Sequence, residues 1–288
     1  MTPFGLLVLF LLLFFPSPAA AQEQFLDSHG VKIHYTVEGQ GEPVLLLHGL
    51  AQDVELWTGV RKALATEYQV IAMDFRGHGK SEKPHSPEKY GLEMVEDVPR
   101  LLKHLNIKQA HIIGYSMGGA VTGKLLVTHP KIFLSAVLGG AAPGPSAVMD
   151  AQTMTEIANS LEQGKGFGPL IPRLTPAGQP LPSEQQMKQM SDRVLRGQDP
   201  QALAAVLRGM SKVTDVSADK LKKIRIPVLA LVGTLDPMLK DVQSLKDKMP
   251  QLEIITLDGA DHLSAVSRPA FTKSLQEFLQ KHRKAAQK

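Results

Sequence analysis

The chain contains no cysteine. That absence excludes disulfide staples, thiol nucleophiles, cysteine-ligated zinc and a lipid-modified cysteine at a cleavage site. It is compatible with export, because 288 residues at 43% hydrophobic content build a buried core without the cross-links that small secreted domains require. An excess of charge of either sign is also missing. Lys and Arg number 32 against 28 Asp and Glu, a net charge of +4. The late basic residues Lys281, His282, Arg283, Lys284 and Lys288 form a tail that reads as solvated rather than as a nucleic-acid surface. Neither Asn106 nor Asn159 begins an Asn-x-Ser/Thr acceptor, so no N-glycan is expected.

Long apolar runs are absent except for Phe4 to Phe15, which falls short of the ~20 residues that cross a bilayer. Pro16, Pro18 and Ala19-Ala20-Ala21 follow it, an order that reads as a signal peptide over residues 1–21. The leading Met1-Thr2-Pro3 carries no Lys or Arg, which departs from the usual basic start. Export to the periplasm or the medium is the expectation, with no stable membrane span after cleavage. An uncleaved anchor holding the remainder outside the cell is the lesser alternative. Oligomeric state leaves no signal.

No cluster of histidines and carboxylates has metal-ligand spacing, and no glycine-rich dinucleotide fingerprint follows the first core strand. The segment Gly77-His78-Gly79-Lys80-Ser81 resembles the end of a phosphate loop, but Asp74 stands five residues before Gly79 where a glycine is required. Neither a metal nor a cofactor is therefore expected, and the partner expected is a small-molecule substrate.

What is present is alternation of strand and helix. Val31 to Val37 alternates apolar and polar residues as a half-exposed strand does, and Glu38-Gly39-Gln40-Gly41 supplies the turn after it. Short apolar runs follow at Val44–Leu47, Val70–Met73, Ala110–Ile113, Leu134–Leu138, Val228–Val232 and Ile254–Leu257, a composition expected of strands buried on both faces. Helical spacing appears between them, as in Leu92, Val95, Val98, Leu101, Leu102 and Leu105, and again in Phe271, Leu275, Phe278 and Leu279. The pattern predicts an α/β fold with a mostly parallel central sheet and helices on both faces. From 141 to 223 no comparable strand occurs, and an inserted helical cap is expected there, with the core over 22–140 and 224–288. Pro169, Pro172, Pro176, Pro180 and Pro182 prohibit one continuous helix inside the insert and mark either a connector or a substrate gate.

The residues that point to chemistry begin with Gly114-Tyr115-Ser116-Met117-Gly118, placed where the run Ala110–Ile113 ends and a helical stretch begins. A tight strand-to-helix turn holds such a serine in a strained conformation, and small residues are needed two before and two after it. Together with Leu45-Leu46-Leu47-His48-Gly49-Leu50 and Asp74-Phe75-Arg76-Gly77-His78-Gly79-Lys80-Ser81, these residues resemble the α/β-hydrolase superfamily over roughly Phe25 to Leu279.

That resemblance implies a nucleophile, then an acid, then a histidine along the chain. Ser116 is the implied nucleophile. Asp236, after Val228–Gly233, is the implied acid, although it also fits a helix N-cap before Pro237. His262, in the loop after Ile254–Leu257, is the implied base, with Asp258 and Asp261 expected only to shape that loop. The resemblance also implies backbone N–H donors for an oxyanion at Leu50 and Met117. It implies no catalytic part for Arg76, His78 or Ser81, and Trp57 is expected to anchor the first helix.

A serine hydroxyl becomes a competent nucleophile when a neutral imidazole takes its proton, and a carboxylate fixes the tautomer of that imidazole. The expected activity is thus hydrolysis of an ester or related acyl bond through an acyl-enzyme, with a Met-bearing cap offering apolar surface to an apolar acyl ester. The same three residues are open to carbon–carbon hydrolysis, lactone or peptide cleavage, or cofactor-free haloperoxidation. A ligand-binding protein with little turnover is the alternative outside catalysis.

Overall fold

A computed structural model describes residues 22–283. The signal-peptide expectation falls on residues 1–21 and lies outside the described residues. Eight strands form one sheet, β1 (Gln22–Asp27), β2 (Lys32–Glu38), β3 (Glu42–Leu47), β4 (Tyr68–Met73), β5 (Ala110–Tyr115), β6 (Phe133–Gly139), β7 (Val228–Gly233) and β8 (Glu253–Leu257). Their order across the sheet is β1-β2-β4-β3-β5-β6-β7-β8. The pairs β1–β2 and β2–β4 are antiparallel, and every pair from β4–β3 to β7–β8 is parallel. The mostly parallel α/β architecture follows the sequence pattern, and β1 adds a strand that the pattern did not announce.

Alternation along the central strands feeds two separate apolar layers. Leu45, Leu47, Ile112, Leu138, Ala230 and Val232 face one side, where they meet Val98 and Leu102 of α2 (Leu92–His104) and Val121 and Leu125 of α3 (Met117–Thr128). Val44, Leu46, Ile113, Tyr115, Val137, Leu229 and Leu231 face the other. There they meet Val60 and Leu64 of α1 (Thr58–Leu64), and Phe271, Leu275, Phe278 and Leu279 of the C-terminal helix Pro269–Lys281. That last set repeats at four, seven and eight residues, which places all four on one face, and each contributes about 2 kcal/mol by leaving water. Trp57 is fully buried in the same layer, 6.4 Å from the Phe271 ring, just before the first helix.

One expectation fails at the margin. The sheet's last strand, β8, is exposed at Glu253, Ile255 and Thr256, because it has a neighbour on one side only. An apolar run signals a strand without revealing whether that strand is central.

Five helices lie between β6 and β7: Ala151–Glu162, Ile171–Leu174, Glu184–Val194, Pro200–Thr214 and Ala218–Leu221. Their starts are written locally. Asp150 accepts from the Thr153 N–H, Ser183 and Gln186 form a reciprocal capping box, and Asp199 accepts from the Gln201 and Ala202 N–H groups ahead of Pro200 at the first helical position. The proline-rich stretch carries only the short helix 171–174 before Ser183. Met154 and Met210 are buried in the α2/α3 layer, whereas Met190 is exposed. Among the described residues no helix is long and apolar enough to cross a membrane.

Candidate active site

Strand β5 is buried along its whole length and stops at Ser116, whose backbone has φ 54° and ψ −115°. A non-glycine residue at positive φ costs on the order of 1–3 kcal/mol, and the surrounding contacts must hold it there. The Ser116 N–H donates to Gly139 O at 2.8 Å, and Ser116 O accepts from the Ala120 N–H at 3.0 Å. Space decides the two flanking glycines. A β-carbon on Gly114 would lie 2.2 Å from Gly118 O, and one on Gly118 would lie 2.2 Å from Leu47 O. Ser116 itself is the one partly exposed residue between His111 and Gly119.

Two loops that are distant in sequence converge on this serine. The loop after β7 is stitched to the loop after β8 by Thr234 N–H to Leu257 O at 3.0 Å, Leu235 N–H to Ala260 O at 2.9 Å and Gly259 N–H to Thr234 Oγ1 at 2.9 Å. The stitching brings Asp236 and His262 together. His262 Nδ1 lies 2.9 Å from Asp236 Oδ2 and 3.1 Å from Oδ1, and His262 Nε2 lies 3.0 Å from Ser116 Oγ. An imidazole protonated on Nδ1 satisfies all three contacts, donating to the carboxylate and accepting from the hydroxyl. Asp236 and His262 are 3% and 6% exposed, so their mutual contact is shielded from solvent while the serine is not.

Asp236 serves its local helix as well: its Oδ1 accepts from the Met238 N–H at 2.9 Å. The cap role and the contact to His262 are therefore simultaneous. Asp261 is committed to its own turn, accepting from the Leu263 and Ser264 N–H groups at 3.0 and 2.8 Å. Burial pushes the Asp261 carboxyl up, and the hydrogen bonds from Ser264 and Leu263 outweigh it, leaving that carboxyl below its ordinary range.

The loop after β3 closes the third side. A β-carbon on Gly49 would lie 3.3 Å from Ser116 Cβ and 2.5 Å from Gln52 Oε1, so this loop passes directly over the serine. His48 fixes it, with Nδ1 2.7 Å from Gly49 O and Nε2 accepting from the Phe75 N–H at 3.0 Å. Burial holds the His48 imidazole below its ordinary pKa, so it is neutral and donates through Nδ1. In a trans peptide the N–H points opposite to the C=O, so the bond to Gly49 O turns the Leu50 N–H away from His48. That N–H has no hydrogen-bond partner among the described residues. The Met117 N–H, first in α3, has no acceptor within its helix.

The segment from Asp74 to Ser81 is a buried turn. Asp74 accepts from the Val54 and Lys80 N–H groups, each at 2.8 Å, and contacts His34 Nδ1 at 2.7 Å. Arg76 grips Asp97 through two bonds of 2.8 and 2.6 Å, both side chains fully buried. The His78 ring packs tilted at 58° against His48, with centroids 5.1 Å apart, and makes no hydrogen bond to Ser116, Asp236 or His262. Among the described residues no group of three or more His, Asp or Glu is placed to hold a metal ion.

Two contacts had no signal in the sequence. Tyr115, the residue before the serine, donates from its hydroxyl to His262 O at 2.5 Å. Asp241 Oδ2 accepts from Ser146 Oγ at 2.7 Å and from the Ala147 N–H at 3.2 Å, which ties the exit of β6 to the helix after Asp236.

Residues 42–269 match the sequence profile of a family described as alpha/beta hydrolase fold. The pimeloyl-[acyl-carrier protein] methyl ester esterase of Aeromonas hydrophila is 28% identical over 255 residues, covering 84% of this chain and 96% of that protein. A component of the acetoin cleaving system of Cupriavidus necator, a dihydrolipoyllysine-residue acetyltransferase, is 39% identical over 124 residues; the match covers 42% of this chain and only 32% of that protein. Among solved structures, the enol-lactonase from Burkholderia xenovorans LB400 superposes with a TM-score of 0.76 at 23% identity, covering 89% of this chain and all of that one, a likeness of fold.

Proposed function

The chain belongs to the alpha/beta hydrolase fold family, and from that premise we propose that it is a serine hydrolase cleaving a carboxylic ester or related acyl bond. The observation that carries the reading is the continuous relay from Ser116 Oγ through the His262 ring to Asp236, with contacts of 3.0 and 2.9 Å. Similarity to hydrolases supports the class, and the esterase relative supports the bond.

Each group then has one task. Ser116 Oγ attacks the substrate carbonyl while its proton passes to His262 Nε2. Asp236 stabilises the imidazolium that results. Negative charge appears on the former carbonyl oxygen, where the Leu50 and Met117 N–H groups each stabilise it by about 3 kcal/mol. Collapse expels the alcohol, which takes the proton from Nε2, and leaves the acyl group on Ser116. Water then attacks the acyl carbonyl as it gives a proton to Nε2, and collapse breaks the bond to Ser116 Oγ, which takes that proton back from Nε2 as the acid leaves. A small apolar acyl substrate suits the exposed Leu235 and Leu263, which flank the acid and the base in sequence. The order of residues 1–21 supports export of the enzyme.

An activated aryl ester tests the reading. A burst of alcohol stoichiometric with enzyme, followed by steady turnover, is expected, and both vanish in Ser116→Ala and His262→Ala. Folded protein that gives no burst and no turnover on esters, lactones or amides overturns it.

A further inference from the structure

We propose that Tyr115 is a positioning residue for the base: its hydroxyl tethers the backbone of His262 to the end of the strand that presents Ser116. The inference rests on the reading of Ser116 and His262 as nucleophile and base, and extends it to a residue that touches neither reacting atom.

The geometry comes first. Tyr115 is the last residue of β5, and its side chain points into the layer opposite α3, sharing that face with Ile113. The ring is 2% exposed. Its seat is shaped for it, since a β-carbon on Gly139 would lie 2.7 Å from Tyr115 Cδ2. Above it the His262 ring sits 5.5 Å away at 37°, and beside it Phe271 packs edge-on at 6.1 Å. From that seat the hydroxyl reaches His262 O at 2.5 Å.

Packing alone does not need the oxygen. A phenylalanine would fill the same seat, so the hydroxyl's only contribution is the bond to His262 O. Burial, with the nearby charges of Asp236 and Asp261, pushes the phenol well above its ordinary pKa, so it keeps its proton and serves as a permanent donor.

The consequence follows from where His262 lies. Its ring is aimed by Asp236 and Ser116, but its backbone belongs to a loop, and loops drift more than strands. One residue bonded covalently to Ser116 and through its side chain to the backbone of His262 makes the hydroxyl and the imidazole move as a unit. Displacement of a reacting group by 1 Å costs about a hundredfold in rate.

Tyr115→Phe tests this with an aryl ester, a fluorophosphonate probe of Ser116, and the proton resonance of His262 Nδ1–H. A fall in kcat and in labelling rate of about tenfold or more is expected, with KM within about twofold and a shifted or broadened imidazole resonance. A variant that loses thermal stability but keeps the wild-type kcat, labelling rate and resonance overturns the proposal and leaves Tyr115 a packing residue. Where Tyr115→Phe folds poorly, 4-aminophenylalanine at 115 restores an N–H donor and the rate; a folded protein without recovery overturns the tether. The resonance separates the two readings, because it reports the tether even if wild-type protein neither labels nor turns over.

Discussion

Gly49 lies so close to Ser116 that a single methyl group on it would sit 3.3 Å from the serine's β-carbon. The same methyl would meet Gln52 Oε1 at 2.5 Å, displacing the acceptor of the Gly49 N–H. The flexible Gln52 side chain has room to yield, whereas Ser116 is held by its strained backbone and by Gly139 O. Gly49→Ala is therefore expected to fold and to lose catalysis, with kcat lower by about tenfold to a hundredfold because the Leu50 N–H and Ser116 Oγ no longer share one geometry. Steady-state kinetics beside a thermal melt check it; unchanged kcat would place the Leu50 N–H outside the reaction.

Asp236→Asn separates the two duties of that side chain. The amide oxygen still accepts from the Met238 N–H, so the local turn survives. Its NH2 group favours the imidazole tautomer protonated on Nε2, which cannot accept the serine proton. The expected result is a loss of about three to four orders of magnitude in kcat with nearly native stability. Burst kinetics with an aryl ester and a denaturant titration give both numbers.

Acid sensitivity of the fold follows from its buried histidines. Burial, with the adjacent His48, pushes His78 from 6.5 down to about 3, and burial holds His48 and His111 below their ordinary values. A histidine with a depressed pKa binds its proton more readily when unfolded, so its contribution is complete above pH 6.5 and is lost as pH falls through the window toward 3. His78 alone should remove about 2 to 3 kcal/mol between roughly pH 7 and pH 4.5. Burial raises Asp74, but hydrogen bonds from His34, Lys80 and Val54 outweigh it and hold it below its ordinary range. Its share is lost only at still lower pH. Urea midpoints across the window should fall with acid, and His78→Gln should flatten the slope; an identical slope in that variant removes His78 from the account.

The site was legible because its three side chains stand at ends of elements whose order the sequence announces. Ser116 sits between a buried run and a helix, and Asp236 and His262 each follow a strand. What escaped was whatever depends on a neighbour without a side-chain signature. Tyr115 meets a backbone carbonyl, and nothing in the composition near His262 marks that atom. Strand β1 (Gln22–Asp27) pairs antiparallel at the sheet's edge and is too polar for the apolar-run criterion. Strand β8 was recognised as a strand, but its position at the other edge is a property of the sheet and not of its own residues.

The helices between β6 and β7 leave and rejoin the sheet at neighbouring positions, because these two strands pair directly from Ala136 with Val228 to Gly139 with Leu231. Whatever length of chain connects them, the pairing that seats Ser116 and Asp236 is closed beneath it. The connection thus behaves as a cassette: a different one transplanted between the ends of these strands is expected to leave Ser116, Asp236 and His262 in their places.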